Sequence, residues 1–261
     1  MSVFKKAIND YKKYREYILY TTKSDLKVQL SSTFLGYFWW ILDPLMYMLV
    51  YMLVVMVIFQ RGGENFPIFV FSALVPWKWT VSSIMDSTSS IASKGGLLQQ
   101  VYLPKFILPY VKVLVNTAKY IFGIFVLLIL MAFFGAPYTW HLIEFFIVFL
   151  VHFLFILGVG FILSHLGVYF KDINNILQFT IRLWFYLSPT LYSLQDVPAK
   201  VRILWWANPM TTFYASYRNI FLYGKSPLYP QLGFWVAMSL LIIWIGLKYI
   251  YKYDKNYTKV I

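Results

Sequence analysis

SKGGLLQQVYLPKFILP, residues 93–109, separates two long apolar runs with two lysines, two glutamines, paired glycines and two prolines. Leu97, Leu98, Val101 and Tyr102 follow i, i+1, i+4, i+5 spacing with Gln99 and Gln100 opposite. That spacing predicts a short helix with one apolar and one polar edge. Gly95-Gly96 releases it from the helix before, and Pro104 and Pro109 constrain how it turns back into the next. A stiff, bracketed, amphipathic helix between two apolar segments is suited to docking into another protein.

The flanking runs set the environment. Of 261 residues, 60% are hydrophobic and 13% charged, whereas a soluble domain carries about 25% charged residues. Most of this chain therefore belongs in lipid. A span needs roughly 20 apolar residues, and six runs qualify: residues 38–59, 66–85, 110–134, 142–168, 176–194 and 232–251. The segment 203–223 is nearly as apolar, but Asn208-Pro209, Arg218 and Asn219 oppose full insertion. It reads as part of a re-entrant or interfacial helical hairpin over residues 196–228. The expectation is an all-α integral membrane protein with six transmembrane helices in one domain, residues 34–251. Residues 1–33 precede it as an amphipathic interfacial helix, and residues 252–261 follow as a tail.

Charge orients the chain. The formal charge is +13, but the basic residues gather at the termini and in connections, a pattern of membrane topology and not of nucleic-acid binding. Lys5, Lys6, Lys12, Lys13, Arg15, Lys23, Lys27, Lys94, Lys105, Lys171, Lys252, Lys255 and Lys259 fall on one side. Arg61, Lys200, Arg202, Arg218 and Lys225 fall on the other. The reading is a multi-pass protein of the cell membrane with both termini cytoplasmic, which an even number of spans requires. The N-terminus lacks the apolar core and cleavage site of a secretory signal. Phe4, Ala7, Ile8, Tyr11, Tyr14, Ile18 and Leu19 recur at helical spacing among its lysines, so it is expected to lie on the inner leaflet, apolar side down.

Catalytic chemistry has little support. There are no cysteines, and the three histidines are dispersed without an HExxH pattern. His152 and His165 are read as helix-to-helix hydrogen-bonding groups. Asp43, Asp86, Glu144 and Asp172 lie in different spans or loops. Residues 223–226 end like a phosphate loop, but Asn219 stands where its first glycine belongs. No catalytic, cofactor-binding or metal-ligating residues are expected. Of the charges inside spans, Lys78, Lys112 and Lys248 read as snorkelling side chains. Asp43 and Arg182 sit deeper and are better candidates for a polar lining or a buried pair.

Aromatics are abundant, with 10 Trp, 22 Tyr and 24 Phe, more than interfacial belts alone require. Phe38, Trp39, Tyr47 and Tyr51 in the first span, and Trp184, Tyr186 and Tyr192 in the fifth, could stack on the apolar faces of sugar rings while phenols meet hydroxyls. They are the candidate lining of a polysaccharide path, with Arg182 among them. Lipid-belt and packing roles compete for about half of these side chains.

Four motifs, in order along nearly the whole chain, carry a resemblance. DLKVQLSSTFLGYFWWILDPLMYM, residues 25–48, is similar to a basic interfacial helix running through Leu-Gly into a Trp-rich first span. VYLPKFILP, residues 101–109, is similar to a coupling-helix exit. FKDINNIL, residues 170–177, resembles an Arg-Asp-Ile loop, and ANPMTTF, residues 207–213, an external Asn-Pro element. Together they resemble the permease subunits of type-two ABC exporters for O-antigen, capsule and teichoic acid, most nearly those for teichoic acid. Asp43 departs from the usual Asn, and Lys105 and Lys171 from the common Arg.

The resemblance implies a homodimer joined to two separate ATPase subunits, which carry the ATP and Mg, pushing a lipid-linked polysaccharide, most nearly wall teichoic acid, outward. O-antigen or capsular polysaccharide is the alternative cargo, and a multi-span membrane transferase the alternative class. Residues 93–108 would be the coupling helix, with Leu97, Leu98, Gln100, Val101, Tyr102 and Lys105 facing the ATPase, and Lys23, Lys27 and Arg182 would be candidates for the phosphates of the lipid carrier, since compact or planar cations suit phosphate.

Overall fold

The structure is a computed structural model that describes residues 3–31, 34–58, 60, 62–63 and 65–260. Phe59, expected to end the first span, and Arg61 lie outside the described residues, as do residues 1–2 and 32–33 of the expected interfacial helix and residue 261 of the tail. Helices account for 83% of the described residues, among which there is no strand, so the fold is all-α.

The helices are α1 (Val3–Ser31), α2 (Phe38–Met52), α3 (Phe66–Ser90), α4 (Gly95–Gln100), α5 (Ile107–Phe133), α6 (Phe145–Tyr169), α7 (Ile173–Leu187), α8 (Ala199–Trp206), α9 (Pro209–Phe221), α10 (Tyr229–Lys252) and α11 (Asp254–Val260). Among the described residues, five stretches are long and apolar enough to cross a membrane: Phe38–Ile58, Phe66–Ser90, Ile107–Phe133, Trp140–Tyr169 and Tyr229–Lys252. The fifth expected span differs. α7 has 15 residues, a rise of about 22 Å, and stops at Leu187 because Pro189 follows Ser188 and the residue before a proline is driven out of the helical region. Ser188 is accordingly extended (φ −99°, ψ 143°).

α3 is the hub, with most of its length buried from Phe66 to Ser90. α5 runs antiparallel to it, as the pairs Trp79–Thr117 and Ser87–Pro109 show. α6 runs parallel to α3, His152 facing Thr80, and α10 runs parallel to α6, with Tyr229 bonded to Glu144 at their starts. Glycines set these separations: Gly158 lies against Ile242 and Ile243, and Gly246 against Phe161. Such close approach is how helices associate where lipid offers no hydrophobic driving force. α2 and α7 are peripheral, burying only Pro44 and Met48, and Ile181 and Phe185, respectively.

α1 kinks at Tyr14 (φ −106°, ψ 15°) and packs on α5 and α10. The Tyr251 hydroxyl donates to Asp10 at 2.7 Å, and Lys112 reaches Asp25 at 2.6 Å. Its apolar residues divide between two faces: Ala7 and Ile18 are buried, whereas Phe4, Ile8, Tyr11 and Leu19 remain exposed. α4, α11 and the ends of α1 and α10 meet at one end of the bundle, and α9 lies at the other. α9 is almost wholly buried, so the polar residues that oppose its insertion into lipid are instead enclosed by protein.

Candidate functional site

α2 and α7 flank α3 and leave a groove between them. A cavity of about 250 Å³ is lined by Tyr47, Tyr51, Trp77, Arg182 and Tyr186. Tyr51 and Tyr186 also line a larger cavity of about 1120 Å³, which continues past Gly62, Asn65 and Phe69 to Tyr192 and Asp196. Tyr51 stacks on Phe185 at 5.6 Å, while Trp205 donates to the Tyr192 hydroxyl at 2.9 Å. The walls therefore offer held ring faces, phenol oxygens and one guanidinium. Ring faces accept sugar C–H groups, phenols bond hydroxyls, and a guanidinium suits phosphate or carboxylate.

A second cavity of about 270 Å³ opens between α2, α3 and α5, lined by Trp39, Asp43, Lys78, Asn116 and Lys119 among others. Asp43 pairs with Lys78, whose ammonium lies 4.1 Å from the centre of the Tyr47 ring. Asn116 donates to Asp86 at 2.8 Å and accepts from Lys119 at 3.2 Å. Lys78 and Lys112 are thus ion-paired to other helices, not snorkelling, because Asp43 and Asp25 lie within reach; Lys248 leans over Trp244 at 4.9 Å. Lys112, Asn116 and Lys119 at i, i+4 and i+7 of an apolar helix were the legible signal for this polar stripe. His152 bonds Thr80 at 2.8 Å and His165 bonds Tyr257 at 2.6 Å, each joining two helices.

At the opposite end, α4 is shorter than expected. Its last residue is Gln100, and Val101 is already extended (φ −133°, ψ 136°). Leu98 is turned into the core at 5% exposure. The outward edge is formed by Gln99, Gln100, Val101 and Tyr102.

The sequence model of the ABC-2 type transporters matches residues 16–222, four-fifths of the chain. This chain belongs to the ABC-2 type transporter family. It is 31% identical to the O-antigen export system permease protein RfbA of Myxococcus xanthus, over 92% of this chain and 93% of that one. It is 23% identical to an O-antigen export system permease protein RfbA of Klebsiella pneumoniae, over 92% and 93% of the two chains. It is also 23% identical to the polysialic acid transport protein KpsM of Escherichia coli, over 85% and 88%.

In this ABC-2 transporter the sequence candidates separate. Tyr47, Tyr51, Arg182, Tyr186 and Tyr192 line the groove. Trp39 lines the neighbouring cavity, and Phe38 is half exposed on α2. Trp184 turns away to bond Asn208 at 2.9 Å and to meet Trp77 edge-on, bracing α7 against the start of α9. Lys23 and Lys27 lie on the exposed face of α1 and line none of these cavities, so they do not form one site with Arg182.

Of the α4 candidates, Leu97 is half-buried, Leu98 is buried, and Gln100, Val101 and Tyr102 are exposed. Lys105 is withdrawn, with 4% of its side chain exposed, 3.3 Å from Asp254 of α11. It tethers the α4 segment to α11 and does not reach the outer edge. Removing one member of a buried pair strands the other, at a cost of about 3–5 kcal/mol. Asp254→Leu is therefore expected to lower the thermal midpoint in detergent, and Lys105→Met with Asp254→Leu to recover most of the loss. Equal stability of the single variant and the parent would show that the pair contributes nothing.

Proposed function

We propose that this chain is the transmembrane subunit of an ATP-driven exporter, carrying a lipid-linked polysaccharide from the cytoplasmic to the external side of the cell membrane. The aromatic groove of α2, α3 and α7 carries this reading. Arg182 and Tyr186 stand exposed on the peripheral, amphipathic α7, where lipid would penalise the charge and where a polar cargo or a second copy of the chain would meet it. The proposed assembly is a homodimer closed along α2 and α7, with two ATPase subunits engaging the edge from Gln99 to Tyr102.

A topology of six crossings would give the direction. α1, α4 and α11 meet at one end, and that end carries Lys6, Lys105, Lys252 and Lys255. α7 with residues 188–192 would make the fifth crossing, and residues 196–228 the external hairpin. Both termini are then cytoplasmic by the positive-inside rule.

As cargo we favour polymers of the O-antigen and capsule class over the teichoic acid that the sequence resembles, because the relatives described above are named for O-antigen and polysialic acid. The test is the combined variant Tyr51→Ala, Tyr186→Ala in the native host. Surface polymer is expected to fall at least tenfold and lipid-linked polymer to build up inside, while the variant still co-purifies with an ATPase. Undiminished surface polymer would refute the groove as the path.

A further inference from the structure

Arg218 lies at the end of the bundle remote from α4, on α9, with 5% of its surface exposed. Its guanidinium donates to the carbonyls of Pro189 and Thr190 at 2.7 Å, Phe69 at 3.2 Å and Tyr192 at 3.4 Å. It also lies 3.4 Å from the centre of the Phe69 ring. None of these partners is an anion, and no carboxylate pairs with it among the described residues. Buried charges are ordinarily paired. Carbonyl dipoles hold this one in place and leave its unit charge uncancelled. Nη2 meets a single acceptor, so its second N–H is available.

A cavity of about 440 Å³ opens beside it, and none of its lining residues is acidic. Thr211 lines it with a fully buried hydroxyl that has no hydrogen-bond partner. Lys225 adds a second cation, exposed to solvent. A buried cation, an unused hydroxyl and a solvent-facing ammonium around one concavity are complementary to an oxyanion. The cavity shares Phe69 and Ser193 with the wide end of the aromatic groove, so a chain leaving the groove passes it.

We infer that this cavity is an anion subsite that takes a carboxylate or phosphate group borne by the exported polymer. The inference rests on the direction of export proposed above. A neutral glycan can hydrogen-bond the Thr211 hydroxyl but offers no counter-charge to Arg218 or Lys225, so the subsite favours acidic polymers. Free phosphate presents the same oxygens, and the test separates the two sources.

The purified full-length chain in lipid nanodiscs is titrated with a sialic acid hexamer, a neutral maltohexaose and inorganic phosphate. The acidic hexamer is expected to bind at least tenfold more tightly than the neutral one. Lys225→Gln and Thr211→Val should each weaken acidic binding about fivefold or more, and Lys225→Gln should leave neutral binding unchanged. Raising salt from 50 to 200 mM should weaken only the acidic interaction, through screening. Equal affinity for acidic and neutral hexamers, or acidic binding untouched by Lys225→Gln, overturns the inference. Phosphate binding as tight as the hexamer would overturn the polymer as occupant. If Thr211→Val folds poorly, Lys225→Gln decides alone, because its side chain is exposed. Selective acidic binding by a chain whose deletion leaves surface polymer intact would uphold the subsite and reject the export reading.

Discussion

Replacing Gly167 with alanine is expected to stop the folded protein from accumulating in the membrane. An added Cβ would stand 2.0 Å from the carbonyl oxygen of Thr88 and 3.0 Å from its carbon. Both atoms are backbone, so no rotamer relieves the overlap; α3 and α6 must move apart. Ordinary overpacking costs about 1–3 kcal/mol when side chains can shift, and a backbone collision at the hub helix exceeds that. Separating α3 from α6 also disturbs the Ser87 contact at Gly160 and the His152–Thr80 hydrogen bond on the same interface. Gly233→Ala is the control, since nothing lies within 4 Å of its added Cβ and alanine is the better helix former by about 1 kcal/mol. Membrane yield and a monodisperse elution profile check both. Gly167→Ala matching the parent in yield and profile would show that the α3–α6 crossing is not set by this glycine.

Arg218→Leu is expected to release residues 189–192 and lower the thermal midpoint by roughly 10 °C. Four backbone carbonyls lose their donor at once, and an unsatisfied buried polar group costs about 1–3 kcal/mol. The costs are not additive, so a net loss of about 3 kcal/mol is the working figure, at about 2–4 °C for each. Protease cleavage between α7 and α8 should rise with it. Arg218→Lys should recover only part, since a single ammonium cannot reproduce the spread of a planar guanidinium. Unchanged melting and cleavage in Arg218→Leu would mean that this segment is held by other contacts, such as the Asn208 bonds to Ser188 and Leu187.

These two residues mark where the sequence was legible and where it was not. Gly167 shares its helix with Gly158, Gly160 and Ser164, small residues that permit close helix approach, but Thr88, whose carbonyl oxygen limits that approach, is 79 positions away by number. Arg218 read as an obstacle to membrane insertion. Its solution, four carbonyls from two distant segments, has no signature in local spacing. Lys78 and Lys112 read as snorkelling because their partners, Asp43 and Asp25, lie on other helices. For Lys105, withdrawal from the α4 edge follows from Asp254, a tail residue almost 150 positions away.

Hydropathy, charge placement and the order of four motifs along the chain determined an all-α membrane protein, its family, and the aromatic content of α2 and α7. Those signals are local: transfer of a 20-residue segment to lipid depends on its own composition, and basic connections act through their own charge. Which tyrosines share a groove, which lysines are paired, where α7 ends in usable length and how α9 is enclosed were decided only by tertiary structure. Each depends on a partner supplied by another helix, and in a low-dielectric interior that partner determines whether a polar side chain is buried, paired or left facing a cavity.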